Sequence, residues 1–70
     1  MILTVNGEQR ETMSGNLAEL WRAETEHLDL ESPKGYAIAL NGALIRKDQW
    51  QHTTITDGDR VEIVRAMQGG

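Results

Sequence analysis

The sequence predicts an α+β fold: a mixed, four- to five-stranded sheet with one main helix packed across it. Three observations carry this. Two β-forming runs each end on an Asn-Gly pair, at Asn6-Gly7 and Asn41-Gly42, a strong signal for a two-residue hairpin turn. One stretch between them, residues 17–28, repeats its apolar residues at helical spacing. Finally, 70 residues allow a single domain with a modest core, for which a sheet covered by one helix is a stable layering.

Ile2-Leu3-Thr4-Val5 opens the chain as a strand, with Leu3 and Val5 on one face and Met1 joining them. After Asn6-Gly7, residues 9–13 return as a second strand, with Met13 as its inward residue. Ser14-Gly15 breaks that strand, and Asn16 followed by Glu19 forms a capping box at a helix start. Residues 17–28 form the helix, with Leu17, Leu20, Trp21 and Leu28 on one stripe. Arg22 and Glu26 are spaced to pair on its exposed side. Ser32-Pro33 stops it, because the residue before proline disfavours helical geometry.

Residues 36–40 form the third strand, with Ile38 and Leu40 facing opposite to Ala37 and Ala39. Leu44-Ile45 gives a short edge strand, and residues 47–50 a single helical turn. Asp57-Gly58-Asp59 is a tight turn. The last strand runs from Arg60 to about Met67, with Val61 and Ile63 inward and Glu62 and Val64 outward. Domain organisation follows: residues 1–67 form the domain, and 68–70 a flexible C-terminal Gly-Gly tail.

Composition removes several functions. Eleven acids against seven bases leave no basic surface for nucleic acid. Without cysteine there is no thiolate nucleophile, disulfide framework or thiolate zinc site. The histidines are His27 and His52 and the serines Ser14 and Ser32, which sit in break or cap positions. They predict neither a catalytic triad nor a metal site. No apolar run approaches a membrane span, and Met1-Ile2-Leu3-Thr4 does not read as a secretory signal. A cytoplasmic protein that is not an enzyme is the expectation. Trp21 is read as a core residue and Trp50 as a cap on one end of the core.

The chain end is unusual. Two terminal glycines arise by chance in roughly one chain in two hundred at average usage of about 7%. Gly69-Gly70 follows a strand with no bulky or charged neighbour beyond Met67-Gln68. A chain end without β-carbons can enter a narrow channel and deliver the α-carboxylate of Gly70.

Leu40-Asn41-Gly42, then Arg46 and Trp50, then Asp57-Gly58-Asp59-Arg60-Val61-Glu62-Ile63-Val64, and finally Gln68-Gly69-Gly70 together resemble the thiamine-biosynthesis sulfur carrier family. The likeness is strongest from Ala37 onward. It implies a ubiquitin-like β-grasp fold. It also implies that an E1-like adenylyltransferase uses ATP to adenylate Gly70, that a sulfur-donor protein supplies sulfur for a thiocarboxylate, and that thiazole synthase consumes it. On this resemblance Gly70 is the modified residue, Gly69 gives clearance, and Gln68 and Met67 touch the partner's channel. The chain would bind no cofactor of its own. Ala39 and Val64, outward on neighbouring strands, are expected to form an apolar patch that contacts the adenylyltransferase. Residues 24–35 are long and acidic for this family. Two other readings fit the same chain: the small subunit of molybdopterin synthase, and a ubiquitin-like protein modifier or passive interaction module.

Overall fold

The chain runs β1 (Ile2–Val5), β2 (Glu8–Glu11), α1 (Leu17–Thr25), β3 (Tyr36–Leu40), β4 (Ala43–Ile45), a 3-10 helix (Lys47–His52) and β5 (Arg60–Arg65). This is a computed structural model, and it describes residues 1–26 and 35–65. The five strands form one sheet in the order β2-β1-β5-β3-β4. β5 lies in the middle, parallel to β1 and antiparallel to β3. The first and last strands are therefore neighbours, and all other elements hang from that pair.

Both hairpins turn through two residues in the left-handed region, with φ 52° and 82° at Asn6-Gly7 and 51° and 89° at Asn41-Gly42. Positive φ at both positions gives the turn whose twist matches the flanking strands. Asparagine tolerates that region better than other side-chain-bearing residues, and glycine enters it freely. A two-residue turn also sets register. Leu40 faces Ala43, so Ala39 faces Leu44 and Ile38 faces Ile45.

The helix begins as its sequence predicts. Asn16 Oδ1 accepts from the Glu19 amide at 2.9 Å. Glu19 reaches back past the cap residue, its Oε1 accepting from the Gly15 amide at 2.8 Å. Leu17 and Leu20 are fully buried, and Trp21 packs partly buried against the core. Thr25 joins the buried face because its hydroxyl donates back to the Trp21 carbonyl at 2.7 Å, which satisfies a polar group that burial would otherwise penalise. The helix is described to Thr25, capped by Glu26. Leu28, the break at Ser32-Pro33 and His27 lie outside the described residues.

One core results. Leu3 and Val5 from β1, Ile38 from β3 and Val61 from β5 meet Leu17 and Leu20 from α1, with Trp50 and Ile55 closing the side. Fully burying an aliphatic side chain of this size stabilises by about 1.5–3 kcal/mol, so so small a fold depends on nearly every one of them. The loop carrying Ile55 is held to the helix start by two hydrogen bonds, Leu17 N to Thr53 O at 3.1 Å and Ile55 N to Gly15 O at 3.3 Å.

Four expectations need correction. The returning strand is Glu8–Glu11, not residues 9–13, and Met13 is 99% exposed instead of inward. β2 is an edge strand, and the chain leaves it before Met13 to reach the helix. On β2 the helix side carries Arg10, opposite Leu3, and Glu8, opposite Val5; Arg10 pairs with Glu24 of α1 at 3.3 Å and with Glu8 at 2.9 Å. Met1 remains substantially exposed. Arg22 and Glu26 form no ion pair among the described residues. Trp50 closes one side of the core and is itself buried there. At 3% exposure it is a core residue, placed there by a 3-10 helix two residues longer than the turn expected.

Candidate functional site

β5, the last described strand, ends at Arg65, and the C-terminal residues follow it in sequence. Gly70, Gly69, Gln68 and Met67 lie outside the described residues, as does the end of the strand expected near Met67. What the structure describes is how β5 is held, and what surrounds the point where it ends.

β5 is gripped by both Asn-Gly turns. From the first, the Asn6 amide donates to Val61 O at 2.9 Å, and Asn6 Oδ1 accepts from the Ile63 amide at 2.8 Å. From the second, the Asn41 amide donates to Arg60 O at 2.7 Å, and Asn41 Oδ1 accepts from the Arg60 amide at 2.9 Å. Each asparagine therefore serves twice. Its backbone makes the turn and its side chain completes the hydrogen bonding of a strand far away in sequence.

The Asp57-Gly58-Asp59 turn is used in the same way. Asp57 Oδ1 accepts from the Ile2 amide at 2.6 Å, and the Gly58 amide donates to Ile2 O at 2.8 Å. Asp59 accepts from the Thr56 amide at 2.8 Å and from Asn41 Nδ2 at 3.1 Å. Hydrogen bonding to the Thr56 amide first, and to Asn41 second, holds the Asp59 carboxyl below its ordinary range. These oxygens are engaged in shaping the turn. Among the described residues no group of three or more His, Asp or Glu is placed to hold a metal ion.

The outward face of the sheet carries the patch. Val64 is 51% exposed, and its cross-strand neighbour is Ala37, with Ala39 opposite Glu62 one rung pair further. Ala39 in turn faces Leu44 on β4, which is 73% exposed. Val64, Ala37, Ala39 and Leu44 thus form a diagonal apolar strip across β5, β3 and β4. The two residues named from sequence, Ala39 and Val64, belong to it but are not directly paired: Val64 faces Ala37, and Ala39 faces Glu62 and Leu44. Ala37 and Leu44 were missed. The signal for Leu44 was present, because a two-residue turn at Asn41-Gly42 forces it opposite Ala39. The Val64–Ala37 rung is the one next to Tyr36–Arg65, where the described part of β5 ends. The strip therefore reaches the second-last described rung of β5.

Of the remaining polar candidates, Ser14 and His52 are among the described residues. The Ser14 amide bonds Thr12 Oγ1 at 3.1 Å. His52 is exposed at the end of the 3-10 helix, its Nε2 3.3 Å from Gln51 Nε2. No described helix is long and apolar enough to cross a membrane.

A sequence model described as the ThiS family matches residues 3–70. A crystal structure of thiamine biosynthesis protein ThiS from Geobacter metallireducens has a TM-score of 0.76 to this chain at 32% identity, with 100% of each chain covered. An NMR solution structure of a thiamine biosynthesis protein from the same organism gives 0.69 at 32% identity, over 100% of this chain and 88% of that one. No curated protein matches the chain.

Proposed function

This chain belongs to the ThiS family and has the ubiquitin-like β-grasp fold, and on that premise we propose that it is a sulfur carrier whose reactive group is the Gly70 carboxylate. The observation that carries this reading is the reach of the family match, which runs through Gly69-Gly70 to residue 70.

A carboxylate is a poor electrophile because its charge is delocalised and it has no leaving group. An E1-like adenylyltransferase supplies one from ATP: the Gly70 carboxylate oxygen attacks the α-phosphorus, pyrophosphate leaves, and an acyl-adenylate forms. Sulfur at the sulfide level, delivered by a sulfur-donor protein, then attacks the acyl carbon. AMP departs with the carbon–oxygen electron pair, leaving a thiocarboxylate for thiazole synthase. The chain contributes no catalytic group to these steps. It supplies the carbonyl, a tail slim at Gly69 and Gly70, and flanking contacts from Gln68 and Met67. The strip of Val64, Ala37, Ala39 and Leu44 docks the adenylyltransferase beside the end of β5, where an apolar surface rimmed by polar groups suits a partner that must bind and leave.

Incubating the chain with the adenylyltransferase, ATP and a sulfur donor, then weighing it intact, tests the reading. The expected product has one oxygen replaced by sulfur, mapped to Gly70 by fragmentation. A chain lacking Gly70 that behaves the same way, or a wild-type mass that never changes, removes it.

A further inference from the structure

On the helix side of the sheet, opposite the apolar strip, α1 and the 3-10 helix leave a groove of about 370 Å³ between them. Ala18, Trp21 and Arg22 line it from α1, and Lys47, Trp50 and Gln51 from the 3-10 helix. Its base is aromatic. Trp21 and Trp50 lie with ring centroids 6.1 Å apart at 37°, and Trp21 meets Tyr36 edge-on at 5.8 Å. Nothing in the proposed sulfur chemistry uses this surface.

The groove's charge is opposite to that of the molecule. The chain carries a formal net charge of −4, yet Arg22 and Lys47 bring one cation from each wall. Asp48 is the one acid lining the groove, and it is met by Arg46 at 3.4 Å. Neither Arg22 nor Lys47 joins an ion pair among the described residues. Two cations beside an aromatic base ask two things of a ligand: negative charge to balance the cations, and a flat or branched apolar group to cover the rings. The space suits one large side chain with a little backbone, being near the lower end of ligand-site volumes.

We propose that this groove is a second docking site, which takes an acidic segment of a partner protein through one Phe or Leu anchor set against Trp21 and Ala18. Arg22 and Lys47 hold carboxylates on either side of that anchor. Because the groove and the strip lie on opposite sides of the sheet, a partner at the groove leaves the strip open.

The probe is a blocked hexapeptide, Glu-Asp-Leu-Phe-Asp-Glu, titrated into the full chain. Having no tryptophan, the peptide leaves Trp21 and Trp50 as the only indole reporters. A saturable fluorescence change with submillimolar Kd is expected, together with amide shifts at Ala18, Arg22 and Gln51 and none at Ala37 or Val64. The double variant Arg22→Glu/Lys47→Glu, changed only at exposed or rim positions, should weaken binding about tenfold or more, while Val64→Asp leaves it unchanged. Raising salt should weaken it as well. The proposal is overturned by the absence of saturation, by equal binding to the double variant, by shifts that map to the sheet's outer face, or by equal binding of the basic peptide Lys-Lys-Leu-Phe-Lys-Lys.

Discussion

Asn6 Oδ1 accepts a hydrogen bond from the amide of Ile63, 2.8 Å away and 57 residues on in sequence. β1 and β5 are parallel, with Thr4 beside Arg60 and Val5 beside Val61. The next rung would need a β1 carbonyl at position 6, but there the chain is already turning, at φ 52°. The asparagine side chain supplies the missing acceptor and carries the ladder one step past the end of β1. β5 is therefore held on this side up to Ile63, two residues before its end at Arg65.

That relationship separates two contributions of one residue. Asn6→Gly keeps the freedom for positive φ and removes the side-chain acceptor, so it should lower stability by about 1 kcal/mol. Asn6→Ala loses the bond and also puts a β-branch-free but β-carbon-bearing residue in the left-handed region, which adds about 1 kcal/mol more. Urea unfolding should rank the wild type above Asn6→Gly and Asn6→Gly above Asn6→Ala. Equal stabilities of all three would mean that the bond to Ile63 contributes nothing.

Asp59 makes stability depend on pH in a defined direction. Its carboxyl is held below its ordinary value of 3.8, chiefly by the Thr56 amide and then by Asn41. A depressed folded-state value means that its contribution is present above the unfolded value and is lost as pH falls through the folded one. Asp59→Asn should therefore be less stable than the wild type at pH 7 and at pH 5. The gap should close as pH drops below 3.8. Urea midpoints of the two proteins across this range measure it, and a gap that stays constant down to the acid limit would contradict the assignment.

The two tryptophans should respond unequally to phenylalanine. Trp50 is 3% exposed and donates from Nε1 to Ile45 O at 3.0 Å. Trp50→Phe removes core volume and orphans that carbonyl, at a cost of about 2 kcal/mol or more. Trp21 Nε1 is buried without a partner among the described residues, so Trp21→Phe sheds an unsatisfied donor along with some packing and should cost about half as much. Thermal or urea unfolding distinguishes the two, and the reverse order would contradict the assigned packing.

The outward strip predicts a separation of binding from folding. Val64→Asp and Leu44→Asp change exposed positions, so each should alter stability by no more than about 0.5 kcal/mol. Each should nevertheless reduce kcat/KM for adenylation of the chain by about tenfold, roughly 1.4 kcal/mol of lost docking. Met13→Lys, at the most exposed large apolar residue among the described residues and outside the strip, serves as the control and should change neither. Unaltered adenylation by both folded variants would free the strip from any part in docking.

Much of this fold was legible locally. The Asn-Gly turns, the Asn16 cap, the alternation in Tyr36–Leu40 and the Asp57-Gly58-Asp59 turn each depend on residues within four positions of one another, where backbone preference and short-range hydrogen bonds decide. The inward pair Val61 and Ile63 and the outward pair Glu62 and Val64 followed from alternation alone. Met13 was misread because an apolar residue near a strand implies burial only if the strand reaches it, and β2 ends at Glu11. Ile55 went unplaced in the core because nothing around it is periodic. It is buried by the hydrogen bonds that tie its loop to Gly15 and Leu17.

By itself the sequence determined which elements form and where they turn, because each of these is written in neighbouring residues. Only the tertiary structure decided that β5 lies between β1 and β3, and that Trp50 and Ile55 are buried together in the core. Those outcomes depend on partners many residues away, chosen by which faces can be buried together and which amides still lack an acceptor.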